Sequence, residues 1–209
     1  MPDKGSFNIL RIDASARRDH SITRQLGDTV IQRLLREHPQ ALVTLRDIAE
    51  PVGFIDADWV QASLTDPETR DAQQRDALGT SDRLVRELDA ADVIVLTTPV
   101  YNFSVPASLK AWIDMVCRAR LSFRYTEHGP AGLLRDRPVY VVMASGGMAF
   151  GSTADFASGY LCHIFAFIGI HDVRMVQAER TGSDADSSTR AALDMLAHWL
   201  PGRAIPATA

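Results

Sequence analysis

The chain has 209 residues, of which 46% are hydrophobic and 23% charged, with a formal net charge of −4. That length is enough for one domain with a substantial core, and the composition is that of a globular protein. The acidic balance argues against a nucleic-acid surface, and no apolar run reaches membrane-spanning length.

The opening MPDKGSFNILRID holds no signal-peptide core before charges return, which points to the cytoplasm. The two cysteines, Cys117 and Cys162, form no C-x-x-C pair and read as buried, reduced thiols. The histidines do not cluster, His163 reads as a core residue of an apolar helix, and no metal-ligand spacing is present.

Phe7–Ile12 is the first strand expected, with Arg11 an unexplained charge inside its apolar run. A helix to about His38 follows, carrying Leu26, Val30 and Leu34 on one face, and Pro39 ends it. The loop between them holds hydroxyls on Ser15, Ser21 and Thr23 and two arginines, Arg17 and Arg18. Helix N-termini present unpaired N–H groups and partial positive charge, so this loop can cradle a phosphate. It is neither a Walker loop nor a dinucleotide fingerprint, because both glycine patterns are absent. Helix capping by Ser21 with solvated arginines is the plainer alternative.

Ala41–Ile48 alternates enough to be an edge strand. Pro51–Ala62 is a loop with a short helix, and Asp66–Asp89 reads as a longer helix. Val93–Leu96 is a continuous apolar run, the mark of a strand covered on both faces. After Pro106, Leu109, Trp112, Ile113, Val116 and Cys117 fall on one helical face. The loop between them, Pro99-Val100-Tyr101-Asn102-Phe103-Ser104, offers two rings and an amide to a flat heterocycle, or else caps the core.

Leu121–Arg137 reads as a hairpin-like excursion, a candidate flap. Pro138–Ala144 is the fourth sheet strand, followed by Ser145-Gly146-Gly147, where glycines let backbone approach a ligand and permit positive φ. Thr153–Ile168 reads as an apolar helix ended by Gly169, Val173–Gln177 as the fifth strand, and Asp184–Leu200 as the last helix, ended by Pro201-Gly202. Strands alternating with helices argue for one doubly wound α/β domain over residues 1–209, five parallel strands in the order 2-1-3-4-5 with helices on both faces. In that order the three special loops follow three neighbouring strands, at the switch point where such sheets bind ligands. A mononucleotide such as FMN fits them: phosphate at Ser15–Thr23, ring system against Tyr101–Phe103 and Ser145–Gly147.

The linked pattern Val100-Tyr101-Asn102-Phe103, Pro106, Leu109-Lys110, Ile113-Asp114 and Arg118 continues through Phe123–Glu127 and Gly129-Pro130. With Gly146-Gly147, Phe167–Ile170 and Asp172-Val173, it resembles the flavodoxin-like FMN-dependent NADH:quinone oxidoreductase and azoreductase family. The resemblance implies FMN phosphate held at Ser15, Ser21, Ile22 and Thr23. It implies the flavin ring at Pro99, Val100, Tyr101, Asn102, Phe103, Ala144, Ser145, Gly146 and Gly147. Substrate would stack beside Phe103, Tyr125 and Phe167, the last offered by the second subunit of a homodimer. The implied activity is ping-pong transfer of two electrons from NAD(P)H, NADH favoured, to quinone or azo acceptors, at flavin N5 and without a side-chain nucleophile. The chain departs from the family at Ala16, Val100, Ser145 and Arg180. An electron carrier or a flavin reductase of the same fold is the rival reading.

Overall fold

The computed structural model describes residues 6–50 and 52–200. Its elements run β1 (Asn8–Asp13), α1 (Ile22–Glu37), β2 (Leu42–Asp47), α2 (Ala57–Leu64), α3 (Ala72–Ala90), β3 (Val93–Pro99) and α4 (Ala107–Val116). They continue with β4 (Phe123–Thr126), β5 (Gly129–Gly132), β6 (Val139–Ala144), α5 (Ser158–Phe167), β7 (Val173–Ala178) and α6 (Ala185–Trp199). Five strands form one parallel sheet in the order β2-β1-β3-β6-β7. With the antiparallel β4–β5 hairpin set aside, this is the expected 2-1-3-4-5 order.

The apolar runs without alternation are the central strands. All six residues of β6 are buried, and so are the first six of β3. Successive side chains point to opposite faces, so each strand feeds two cores. Ile9, Val93, Val95, Tyr140 and Val142 pack with Leu26, Val30 and Leu34 of α1 and Leu196 of α6. Leu10, Ile12, Ile94, Leu96, Val141 and Met143 pack on the other face, against α3, α4 and α5. Burying each such side chain contributes roughly 1.5–3 kcal/mol.

Several boundaries differ from the sequence reading. The third helix begins at Ala72 rather than Asp66, because Asp71 and Gln74 close a capping box there. Pro106 is the residue just before α4, and its carbonyl accepts from Lys110 N–H. Helix α5 starts at Ser158, five residues later than expected, because the Asp155 carboxylate accepts from the Ala157 and Ser158 N–H groups. Cys162 and His163 sit on its exposed side, so neither is a core residue, while Cys117 is half-buried. Burial pushes the Cys117 thiol up to about 11, which keeps it protonated. The expected helix stop at Pro201-Gly202 lies outside the described residues; α6 ends at Trp199.

Gly169 (φ +103°) closes α5: Ile170 N–H donates to Phe165 O and Gly169 N–H to Ala166 O. The hairpin docks on that closure, with Leu134 N–H donating to Ile168 O at 3.0 Å. A methyl group at Gly132 would lie 2.1 Å from Gly169 N and 2.4 Å from the Ile168 carbonyl carbon, both rigid backbone. We expect Gly132→Ala to lower stability by about 1–3 kcal/mol in urea unfolding; unchanged stability would show that the hairpin does not depend on this contact.

Candidate functional site

The parallel register brings the loops together. Asp13, the last residue of β1, lies beside Thr97; Pro99, the last of β3, lies beside Ala144; and Ala144 lies beside Ala178 of β7. The ladder continues one step into the loops: Val100 N–H donates to Ala144 O at 2.8 Å and Ser145 N–H to Ala178 O at 3.0 Å. Thr181 then closes the far side, its N–H and hydroxyl both donating to Ser145 O, at 3.0 and 3.1 Å.

These loops enclose a cavity of about 270 Å³. It is lined by Ser15, Ser21, Ile22 and Thr23 from one side, Pro99, Val100, Tyr101, Ala144 and Gly146 from the other, and also by Arg17, His20 and Thr181. Ser21 is the N-cap of α1, and its hydroxyl is 3.1 Å from that of Thr23. Both hydroxyls are buried at the start of a helix whose first N–H groups have no partner within the helix. That donor set suits a phosphate monoester: hydroxyls, helix N–H groups and a nearby Arg17 guanidinium. Capping and cradling are thus compatible, since Ser21 does the first and lines the cavity as well. Arg18 is not among the lining residues and pairs with Glu50.

The ring-bearing loop is a two-residue turn. Tyr101 and Ser104 exchange backbone hydrogen bonds at 3.0 and 3.1 Å, around Asn102 (φ +49°) and Phe103 (φ +71°). Two successive positive φ values define a type I′ turn, which Asn tolerates and Phe resists. Strain of about 1–3 kcal/mol is typical of such a residue. The turn leaves Tyr101 40% and Phe103 57% exposed. On the opposite wall Gly146 and Gly147 have nothing within 4 Å of where a Cβ would stand, so backbone faces open space. Neither takes the positive φ that glycine permits; here that geometry falls to Asn102 and Phe103. Ser145 is buried behind them and accepts from Met148 N–H at 2.8 Å.

Asn102, Phe103, Ser145 and Gly147 adjoin the cavity in sequence without lining it. Tyr125 and Phe167 lie outside its lining too. Phe167 packs on Phe123 of the hairpin at 4.4 Å between ring centres, and Tyr125 stands 76% exposed. Three other hollows are larger. Those of about 450 Å³ beside β1 and α3 and about 660 Å³ between α3 and Leu133-Leu134 gather no hydroxyl cluster at a helix start. The third, about 360 Å³ beside β7, has Ser183, Ser187 and Ser188 at the start of α6, but it also holds the Glu179 and Asp184 carboxylates, which oppose an anion, and the Ser183 and Ser188 hydroxyls donate to the carbonyls of Arg180 and Asp184.

A family model described as flavodoxin-like fold matches residues 8–200. A protein of Thiobacillus denitrificans named FMN-dependent NADH:quinone oxidoreductase is 49% identical, over 93% of this chain and 95% of its own length. A protein of Jannaschia sp. named FMN-dependent NADH:quinone oxidoreductase 1 is 46% identical, over 88% of this chain and 94% of its own. The chain belongs to the FMN-dependent NADH:quinone oxidoreductase family. A solved FMN-dependent NADH-azoreductase from Bacillus anthracis, in complex with FMN, shares its fold at a TM-score of 0.82 and 23% identity, covering 93% of this chain and 98% of that one.

Within this family fold, sequence reasoning missed His20 and Thr181. His20 takes a positive φ of 56°, a conformation that His tolerates better than most residues, and lines the cavity. Thr181 follows the fifth sheet strand, where one more loop at the same sheet end was the available signal. Arg11 also finds its account here. It donates to both oxygens of Asp13, at 3.0 and 3.1 Å, and to Asp28. Asp13 further accepts from Thr97 at 2.8 Å and Arg24 at 3.1 Å.

Asp47, at the end of β2, accepts from both terminal nitrogens of Arg24 and from Ala49 N–H. Burial pushes its carboxyl up, but the Arg24 and Ala49 hydrogen bonds outweigh that and hold it below the ordinary 3.8. A carboxyl so lowered stabilises the fold above pH 3.8, and the stabilisation is lost as pH falls through that value toward the folded pKa. We expect Asp47→Asn to flatten the decline of unfolding free energy between about pH 5 and pH 3. Identical acid slopes for the two proteins in urea titrations would remove Asp47 from that decline.

Proposed function

We propose that this protein is an FMN-dependent oxidoreductase moving two electrons from NADH to quinones and azo compounds by a ping-pong route. The observation that carries this reading is the meeting of a hydroxyl and helix-N–H cradle with an aromatic turn across one cavity. The relatives' names supply the donor and acceptor class; the cavity supplies the place for the cofactor. Bound FMN would supply the redox chemistry, and everything else is position and electrostatics.

Ser15, Ser21, Ile22 and Thr23 hold the phosphate, and Arg17 balances its charge. Pro99, Val100 and Tyr101 flank the ring system on one side, and Ala144, Ser145, Gly146 and Gly147 on the other. Peptide N–H groups on Asn102, Gly146 and Gly147 favour negative charge at the ring edge. Exposed Tyr101 and Phe103 leave apolar surface where a planar donor or acceptor can stack. Holding donor and ring in contact supplies the proximity advantage, about 7–11 kcal/mol in ideal cases.

We further propose that two copies pair in the cytoplasm, with the Leu121–Arg137 segment a flap and Phe167 of the partner subunit bordering the open side. Support comes from apolar side chains left at the surface: Phe54, Leu64 and Phe156 are each 65–70% exposed. Among the described residues no helix is long and apolar enough to cross a membrane.

The test is anaerobic addition of NADH to FMN-loaded protein whose mass has been measured by light scattering. We expect a particle of two chains, loss of the flavin's visible band within turnover time, and its return when a quinone is added. A band that NADH leaves unchanged would favour a carrier serving a protein partner, and a particle of one 23.0 kDa chain would refute the pairing.

A further inference from the structure

A cation in the first turn of a helix is opposed by the helix dipole. Arg24 nevertheless occupies the third position of α1, with its side chain only 12% exposed. Its hydrogen bonds show why. Nε donates to Arg17 O at 3.1 Å, and one terminal nitrogen donates to Asp13 and Asp47, each at 3.1 Å. The other terminal nitrogen donates to Ser15 O and Asp47, each at 2.9 Å. Five donors meet five acceptors, and none is left for a ligand.

The acceptors divide into two kinds. Asp13 and Asp47 belong to sheet strands, and Asp13 is itself fixed by Arg11 and Thr97. Ser15 O and Arg17 O belong to the loop that lines the cavity. The guanidinium therefore bolts the loop to the sheet from behind, while the hydroxyls of that loop and helix start line the ligand space. We propose that Arg24 is a positioning residue for the flavin phosphate: it never touches the cofactor, yet sets how tightly its phosphate end is held. This rests on the FMN reading above.

Positioning can be separated from simple charge. Arg24→Lys keeps the cation beside Asp13 and Asp47, but a single nitrogen with three donors cannot also reach both loop carbonyls. Asp47→Asn removes a negative charge near the phosphate site. Plain electrostatics then predicts tighter FMN binding; positioning predicts weaker binding, because one arm of the bolt is lost.

The experiment is fluorescence titration of flavin-free protein with FMN and, separately, with riboflavin, which has the ring and ribityl chain without the phosphate. We expect the unaltered protein to prefer FMN. Arg24→Lys should lose about tenfold to a hundredfold in FMN affinity, while riboflavin stays within about twofold. Asp47→Asn should weaken FMN in the same direction, and it decides the matter if Arg24→Lys fails to fold. Undiminished FMN affinity in Arg24→Lys, equal loss of both flavins, or tighter FMN binding by Asp47→Asn would overturn the assignment. If the unaltered protein binds neither flavin, the FMN reading itself falls; if it binds FMN and the variants match it, only the role of Arg24 falls.

Discussion

A buried carboxylate at the end of the first strand governs this structure. Asp13 is 2% exposed, beside the sheet's switch point, and an unpaired charge there would be strongly destabilising. Three partners prevent that. Arg11 reaches it from within the same strand, Thr97 from the neighbouring strand, and Arg24 from the helix that follows. The same arrangement explains why α1 carries Gly27. A methyl group there would lie 2.5 Å from Thr97 Cγ2 and 3.5 Å from an Arg11 nitrogen, so the helix could not lie this close to the sheet. Strand, helix and loop are thereby fixed to one another at the place where a phosphate is to be held.

The other two walls depend on backbone rather than charge. Val100, Ser145 and Thr181 extend the sheet's hydrogen-bond pattern beyond its strands, so their loops inherit the sheet's rigidity. Against that frame the Asn102-Phe103 turn holds a conformation Phe ordinarily avoids. A further tie, from Phe156 N–H to Phe103 O at 3.2 Å, holds it from the far side. Local strain of this kind persists only where the surroundings over-determine it, and it collects at ligand sites.

The fold was legible because buried parallel strands write themselves as unbroken apolar runs; β3 and β6 are the clearest cases. The cradle was legible because Ser21 and Thr23 stand where a strand gives way to an amphipathic helix. Arg11 was not, because Asp13, two residues on, is only one of its partners; the others, Asp28 and the carbonyl of Arg24, are 13 or more residues away and meet it only after folding. Arg24 reads as an ordinary helix residue for the same reason. Cys162 and His163 misled because α5 is apolar nearly all round, so periodicity could not tell its buried face, Leu161 and Phe165, from its exposed one. Thr181 lies in a loop whose distance from the cavity only the sheet order sets.

The central claim is that loops from four strands form one flavin site with its phosphate end at Ser15–Thr23. Hydrogen–deuterium exchange of the flavin-free protein, with and without added FMN, tests it most directly. The account predicts joint protection of residues 14–23, 99–104, 144–148 and 180–182, with the first of these unprotected when riboflavin replaces FMN. Protection confined to the hollow between α3 and Leu133-Leu134, or absence of protection at residues 14–23 with FMN, would contradict it.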